Sequence, residues 1–222
     1  MGIIGYIHIC QKEGWKRSFD MIFEKIVSSG LYTEITEIRL SVLSDDGDFL
    51  DDERFHHDKC VVVYRGRSEE YERPTLMHIR TSSETDNENT YYFYVHTKGL
   101  RHFGTDQEDA VLDWIRLLLY WNIEQWKMAI IILSKPHYWT YGCNHTGIHY
   151  SGNFWWSKPS HIKRLSTFIP DYYTAPEDWA TMLYWGQERV PIHREYYSVF
   201  NSGLEGLGHY TNLFPESEYR IL

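Results

Sequence analysis

The segment from Gly2 to Cys10 constrains this chain most. It runs or alternates apolar through Ile3, Ile4, Tyr6, Ile7 and Ile9, a pattern that suits a buried first strand. The period then changes. Between Trp15 and Ser29, Phe19, Ile22, Phe23, Ile26 and Val27 recur at helical spacing, and Gly30 supplies the stop. Ile35 to Leu43 reads as a second strand and Cys60 to Tyr64 as a third. Pro74 to about Ser83 reads as a helix opened by proline in its first turn, and Tyr91 to Val95 as a fourth strand. Strand, helix, strand, strand, helix, strand begins an α/β fold on a largely parallel sheet. Ligands of such sheets sit beyond the carboxyl ends of the strands. That puts His8 to Gln11, Ser44 to Gly47, Arg65 to Gly66 and His96 to Gly99 along one rim.

Asp109 to Met128 reads as one long helix with Val111, Trp114, Ile115, Leu118 and Trp121 on its inner face; Ala129 to Leu133 either continues it or starts a strand. From Lys135 the texture changes. Pro, Gly, Tyr and Trp crowd together and periodicity fades, apart from short helices near Ser160 to Leu165 and Pro176 to Trp185. The expectation is a loop-rich lobe laid over the sheet. At 222 residues the chain reads as a single domain able to bury a core of its own.

A net charge of −9 argues against a nucleic-acid partner, which calls for a basic face. Cys10, Cys60 and Cys143 are an odd set without Cys-x-x-Cys spacing, which fits a reducing compartment and not a disulfide framework or zinc ribbon. The apolar start lacks a basic n-region and a cleavage site, and the longest apolar run, Met128 to Leu133, is far short of a membrane span. A cytoplasmic protein without a transmembrane segment is expected.

Chemistry concentrates in a few strings. His96-Thr97-Lys98-Gly99 follows the fourth strand; it either grips a phosphate, with Lys98 supplying charge and Gly99 close backbone approach, or is an ordinary turn. His149-Tyr150-Ser151-Gly152-Asn153-Phe154-Trp155-Trp156 suits the wall of a sugar-binding groove, where aromatic faces meet C–H-rich rings and short polar groups meet hydroxyls. The other reading of this octet is an aromatic patch that packs internally. Glu72 precedes Pro74 at a helix start, and Glu177-Asp178 opens another helix. Each carboxylate is either a partner of the helix dipole or a group aimed at a ligand. The glycine-rich Gly203 to Tyr210 either closes over a ligand, with His209 available, or is a loose tail. The chain has no Gly-x-Gly-x-x-Gly, Walker loop, Gly-x-Ser-x-Gly or His-Glu-x-x-His.

Taken in order, several of these strings resemble a family of small GT-A-type glycosyltransferases and glycosyltransferase-like proteins of bacteria and large DNA viruses. They are the first strand and its helix ending Ser29-Gly30-Leu31-Tyr32, Tyr71-Glu72 with Pro74-Thr75-Leu76, Tyr94-Val95-His96-Thr97-Lys98-Gly99, Asp113-Trp114, Gly142-Cys143, the octet, and Glu177-Asp178-Trp179. The resemblance implies a GT-A-like (Rossmann-like) fold and transfer of a sugar from a nucleotide diphosphate sugar donor to a glycan or small-molecule acceptor. Residues 1–134 would form the nucleotide-sugar half and 135–222 the acceptor half. His8, Glu72, Thr75, His96, Thr97, Lys98 and Gly99 would meet the donor. His149, Ser151, Gly152, Asn153, Trp155 and Trp156 would meet the sugar and acceptor, and Asp178 or Glu177 would serve as the base of an inverting reaction. His96-Thr97-Lys98 stands where GT-A enzymes usually carry the metal-binding Asp-x-Asp. Either Lys98 replaces the metal, or His96 and His209 contribute to a weak Mn²⁺ or Mg²⁺ site. The same departure admits a second reading, a non-catalytic carbohydrate-binding or scaffold module on a degenerate GT-A fold.

Overall fold

Strand β1 (Gly2–Cys10) lies at the heart of a seven-stranded sheet. The structure, a computed structural model, describes residues 2–45, 49–185, 188–191, 195–204 and 206–221. Helices α1 (Trp15–Ser28) and α2 (Leu31–Glu34) lead to β2 (Ile35–Ser44), followed by β3 (Cys60–Arg67), α3 (Arg73–Ser82) and β4 (Thr90–His96). β2 and β4 flank β1 in parallel, and β3 adds in parallel to β2. The chain therefore builds outward from β1 in one direction and then reverses to place β4 on its other side. Such a reversal opens a crevice at the carboxyl ends of the two central strands. Of the expected rim, Asp46 and Gly47 lie outside the described residues.

The inner stripe of α1 is Trp15, Phe19, Ile22, Phe23 and Ile26. Val27, expected with them, is 50% exposed, because it falls at the margin of that stripe. The expected long helix is two helices. α4 (Glu108–Leu119) passes through a π turn at Tyr120–Glu124 into α5 (Trp126–Leu133). The widened turn leaves carbonyl groups to be satisfied from outside. The Tyr141 hydroxyl donates to Trp121 O (3.0 Å) and Trp156 Nε1 donates to Asn122 O (2.7 Å).

The second half completes the sheet instead of covering it. It contributes β5 (Thr140–Gly142), β6 (Trp155–Ser157), α6 (Pro159–Ile162), α7 (Ala175–Asp178), β7 (Met182–Trp185), β8 (Glu188–Pro191) and β9 (Tyr196–Ser198). β6 pairs antiparallel with both β4 and β5, and β9 runs parallel to β5, giving the order β3-β2-β1-β4-β6-β5-β9. The fold is thus α/β on a mixed, mostly parallel sheet. The helix expected over Pro176 to Trp185 is only the single turn of α7; Met182–Trp185 is a strand paired with β8 apart from the main sheet. Strand alternation sends Ile3, Ile7, Phe93 and Val95 to the face covered by α1, α4 and α5. Ile4, Tyr6, Tyr92 and Tyr94 go to the face covered by α3, α6 and α7. Among the described residues no helix is long and apolar enough to cross a membrane.

Candidate functional site

An open cleft of about 340 Å³ lies over the carboxyl ends of β1 and β4. Its floor is His8, Cys10, His96, Thr97 and Lys98. His8 and His96 are register partners on neighbouring strands, so both side chains leave the same face of the sheet. Beyond β4, Thr97 N–H donates to His8 O (2.9 Å), and Thr97 Oγ1 accepts from Cys10 N–H (3.1 Å). These bonds stitch the two strand ends together. Gly99 then turns with φ +76°, where a Cβ would meet Val111 Cγ1 at 2.3 Å. Only glycine lets the chain turn this close to α4.

Lys98 is 7% exposed, with Nζ 4.0 Å from the centre of the Trp114 ring. Among the described residues no carboxylate lies within ion-pair distance of it. Burial pushes its ammonium pKa down; Glu177 and Glu72 pull it back up from a distance, and Arg101 adds to the lowering. An ammonium in this setting is expensive to hold. His8 bonds Thr75 Oγ1 through Nδ1 (2.8 Å), and burial pushes its pKa down to about 4. Thr75 is buried under the floor and does not line it. Burial, followed by the charge of Lys98, brings His96 down to about 4 as well.

Glu72 forms part of one wall. It accepts from the Tyr94 hydroxyl (2.7 Å) and from Asn153 Nδ2, and its Oε1 is 3.9 Å from His96 Nε2. Glu177 also lines the cleft, whereas Asp178 is buried. His149 lies between these carboxylates, with Nδ1 3.1 Å from Asp178 Oδ1 and Nε2 3.7 Å from Glu177 Oε2. Two consecutive acidic residues thus have different surroundings, one open to the cleft and one closed.

The octet packs internally. Tyr150, Phe154, Trp155 and Trp156 are at most 1% exposed, and none of the eight residues lines the cleft. Trp155 and Trp156 leave β6 on opposite faces, Trp155 against Tyr94 (5.2 Å) and Trp156 against Phe93 (5.1 Å). The polar tips find partners inside: Trp155 Nε1 donates to Asn153 Oδ1 (3.0 Å), and Asn153 in turn holds Glu72. Gly152 meets the ring of His96 through its carbonyl (3.0 Å), and its φ of +92° leaves no room for a Cβ, which would be 2.6 Å from Leu118. Ser151 is buried, its N–H donating to Asn144 O. The octet therefore supports the cleft from behind.

His209 is also behind the cleft. It is 1% exposed, stacks on Trp114 at 4.9 Å, and bonds Ser202 Oγ (3.0 Å) through Nε2. Its neighbour Tyr210 lines the cleft instead; Glu205, in the same segment, lies outside the described residues. Both ring nitrogens of His96 sit against carbonyl oxygens, of Gly152 and Thr97. Among the described residues no group of three or more His, Cys, Asp or Glu is placed to hold a metal ion.

The cleft also gathers residues the sequence did not mark: Lys12, Ser68, Arg101, His102 and Tyr173. Arg101 and His102 follow His-Thr-Lys-Gly after Leu100 and were within reach of a longer motif. Tyr173 arrives from a loop whose path no local pattern announces. No protein-family model, curated protein or solved structure matches the chain.

Proposed function

We propose that the chain is a glycosyltransferase of GT-A-like fold that moves a sugar from a nucleotide diphosphate sugar to a glycan or small acceptor. The observation that carries this reading is Lys98, a buried ammonium without a carboxylate partner among the described residues, at the floor of a cleft at the topological switch point. A doubly wound sheet binds nucleotides at that point, and a diphosphate supplies Lys98 with a countercharge at close range.

In this reading the diphosphate lies against Lys98 and Arg101, over Thr97 and Gly99, with His8, His96 and Glu72 shaping the pocket. Transfer breaks the bond between the anomeric carbon and the diphosphate oxygen and forms a bond from that carbon to an acceptor hydroxyl oxygen. Lys98 stabilises the negative charge that develops on the departing nucleotide. Glu177, open to the cleft, accepts the acceptor's proton if configuration is inverted. His149, bonded to Asp178, lies 3.7 Å from Glu177 on the side away from the cleft lining. In this role Lys98 occupies the place that a divalent metal would take.

A thermal-shift series with UDP, GDP, CDP and dTDP, each with and without Mn²⁺, tests the reading. At least one nucleotide is expected to raise the midpoint, without needing Mn²⁺. No shift with any of the four would remove the transferase and leave the carbohydrate-binding module. A shift that appears only with Mn²⁺ would take the diphosphate role away from Lys98 alone.

A further inference from the structure

Tyr71 holds a backbone conformation, φ 51° and ψ −145°, that belongs almost entirely to glycine. Burial does not repay that strain, because the Tyr71 side chain is 44% exposed and lines the cleft. Across from it Tyr173, 64% exposed, lines the same cleft, with the two ring centres 5.4 Å apart and the planes at 86°. The loop carrying Tyr173 is fastened in place by Arg73, two residues beyond Tyr71. Its guanidinium donates to Pro170 O (3.2 and 3.0 Å) and to Tyr172 O (2.8 Å), and lies 5.7 Å from the Tyr71 ring. Two large apolar rings are thus held in solvent at the mouth of a polar cleft by a strained turn and an arginine latch.

Glycine at position 71 would relax the backbone, so the tyrosine is worth its strain only through what its ring touches. Tyr71 follows β3, whereas the cation Lys98 follows β4. A ligand that meets both carries a phosphate at one end and a flat ring at the other. We propose that Tyr71 and Tyr173 form an aromatic lip that stacks on the base of a nucleoside diphosphate while Lys98 holds its phosphates. This rests on the transferase reading and deepens it. It makes the two tyrosines the residues that distinguish a nucleotide from bare pyrophosphate.

The test is calorimetric titration of the full chain, as wild type, Tyr71→Gly and Tyr173→Ala, with UDP, GDP, CDP, dTDP and inorganic pyrophosphate. Wild type is expected to bind at least one nucleotide about ten-fold more tightly than pyrophosphate, the scale of one base stacked on an aromatic ring. Each variant is expected to close most of that gap and to leave pyrophosphate affinity within about two-fold. Tyr71→Gly should also unfold no earlier than wild type, which separates loss of the ring from loss of the fold. A nucleotide-binding wild type whose variants keep the gap, or lose pyrophosphate equally, would overturn the lip and leave the transferase standing. A wild type that binds a nucleotide no more tightly than pyrophosphate would overturn the lip alone, and one that binds none of the four would overturn both.

Discussion

Lys98 and Trp155 were given similar standing by the sequence, and their surroundings separate them. Lys98 is nearly buried in the cleft floor, with its Nζ over an aromatic face. Replacing a buried charge with an apolar side chain of similar length removes the cost of keeping that charge out of water. Lys98→Met is therefore expected to keep or raise the thermal midpoint while weakening nucleoside diphosphate binding about 30-fold or more, and nucleoside binding far less. Trp155 is a core residue. Trp155→Ala is expected to cost about 3–5 kcal/mol in denaturant unfolding; a change within about 0.5 kcal/mol would mark a surface platform instead. His-Thr-Lys-Gly was legible because its polarity breaks abruptly from the apolar strand before it. The octet was not, because the partner that allows Asn153 to be buried is Glu72, 81 residues away in sequence. A sequence displays polar tips and hides the distant groups that satisfy them.

The same asymmetry holds among elements. β1, β2 and β4 run for 9, 10 and 7 residues, long enough for their apolar patterns to declare them. β5, β6 and β9 have three residues each, too few for any period to show, and so the completion of the sheet by the second half was hidden. The π turn was equally silent, since Trp121 keeps the spacing of an unbroken helix. Its mark is tertiary: the carbonyls of Trp121 and Asn122 are taken by Tyr141 and Trp156, whose hydrogen bonds come from the strands beside it. Tyr141→Phe removes one of these donors from a buried carbonyl. It is expected to cost about 1–3 kcal/mol, measured by chemical denaturation. No measurable loss would mean that the turn does not depend on this bond.

For the whole molecule, buried histidines set the response to acid. Burial lowers His8, His161, His96 and His209 from 6.5 to about 4 in the folded chain. The unfolded chain takes up these protons as pH falls through about 6.5, and the folded chain only near 4. Their contribution to stability is thus fully present above pH 6.5 and is lost progressively between 6.5 and about 4. A thermal midpoint that falls across this interval, with a shallower slope in His161→Leu, is the expected result; an unchanged slope would exclude His161 as a contributor. The cleft itself draws on both halves of the chain, from His8 in β1 to Tyr210 near the end, so ligand binding reports on the assembled molecule. The most direct measurement is calorimetric titration of wild type and Lys98→Met with UDP, GDP, CDP and dTDP in metal-free buffer. Binding of at least one nucleotide by wild type, lost in a variant that unfolds no earlier, is the expected result. Equal binding by the two proteins, or none by wild type, would contradict an anion site built on Lys98.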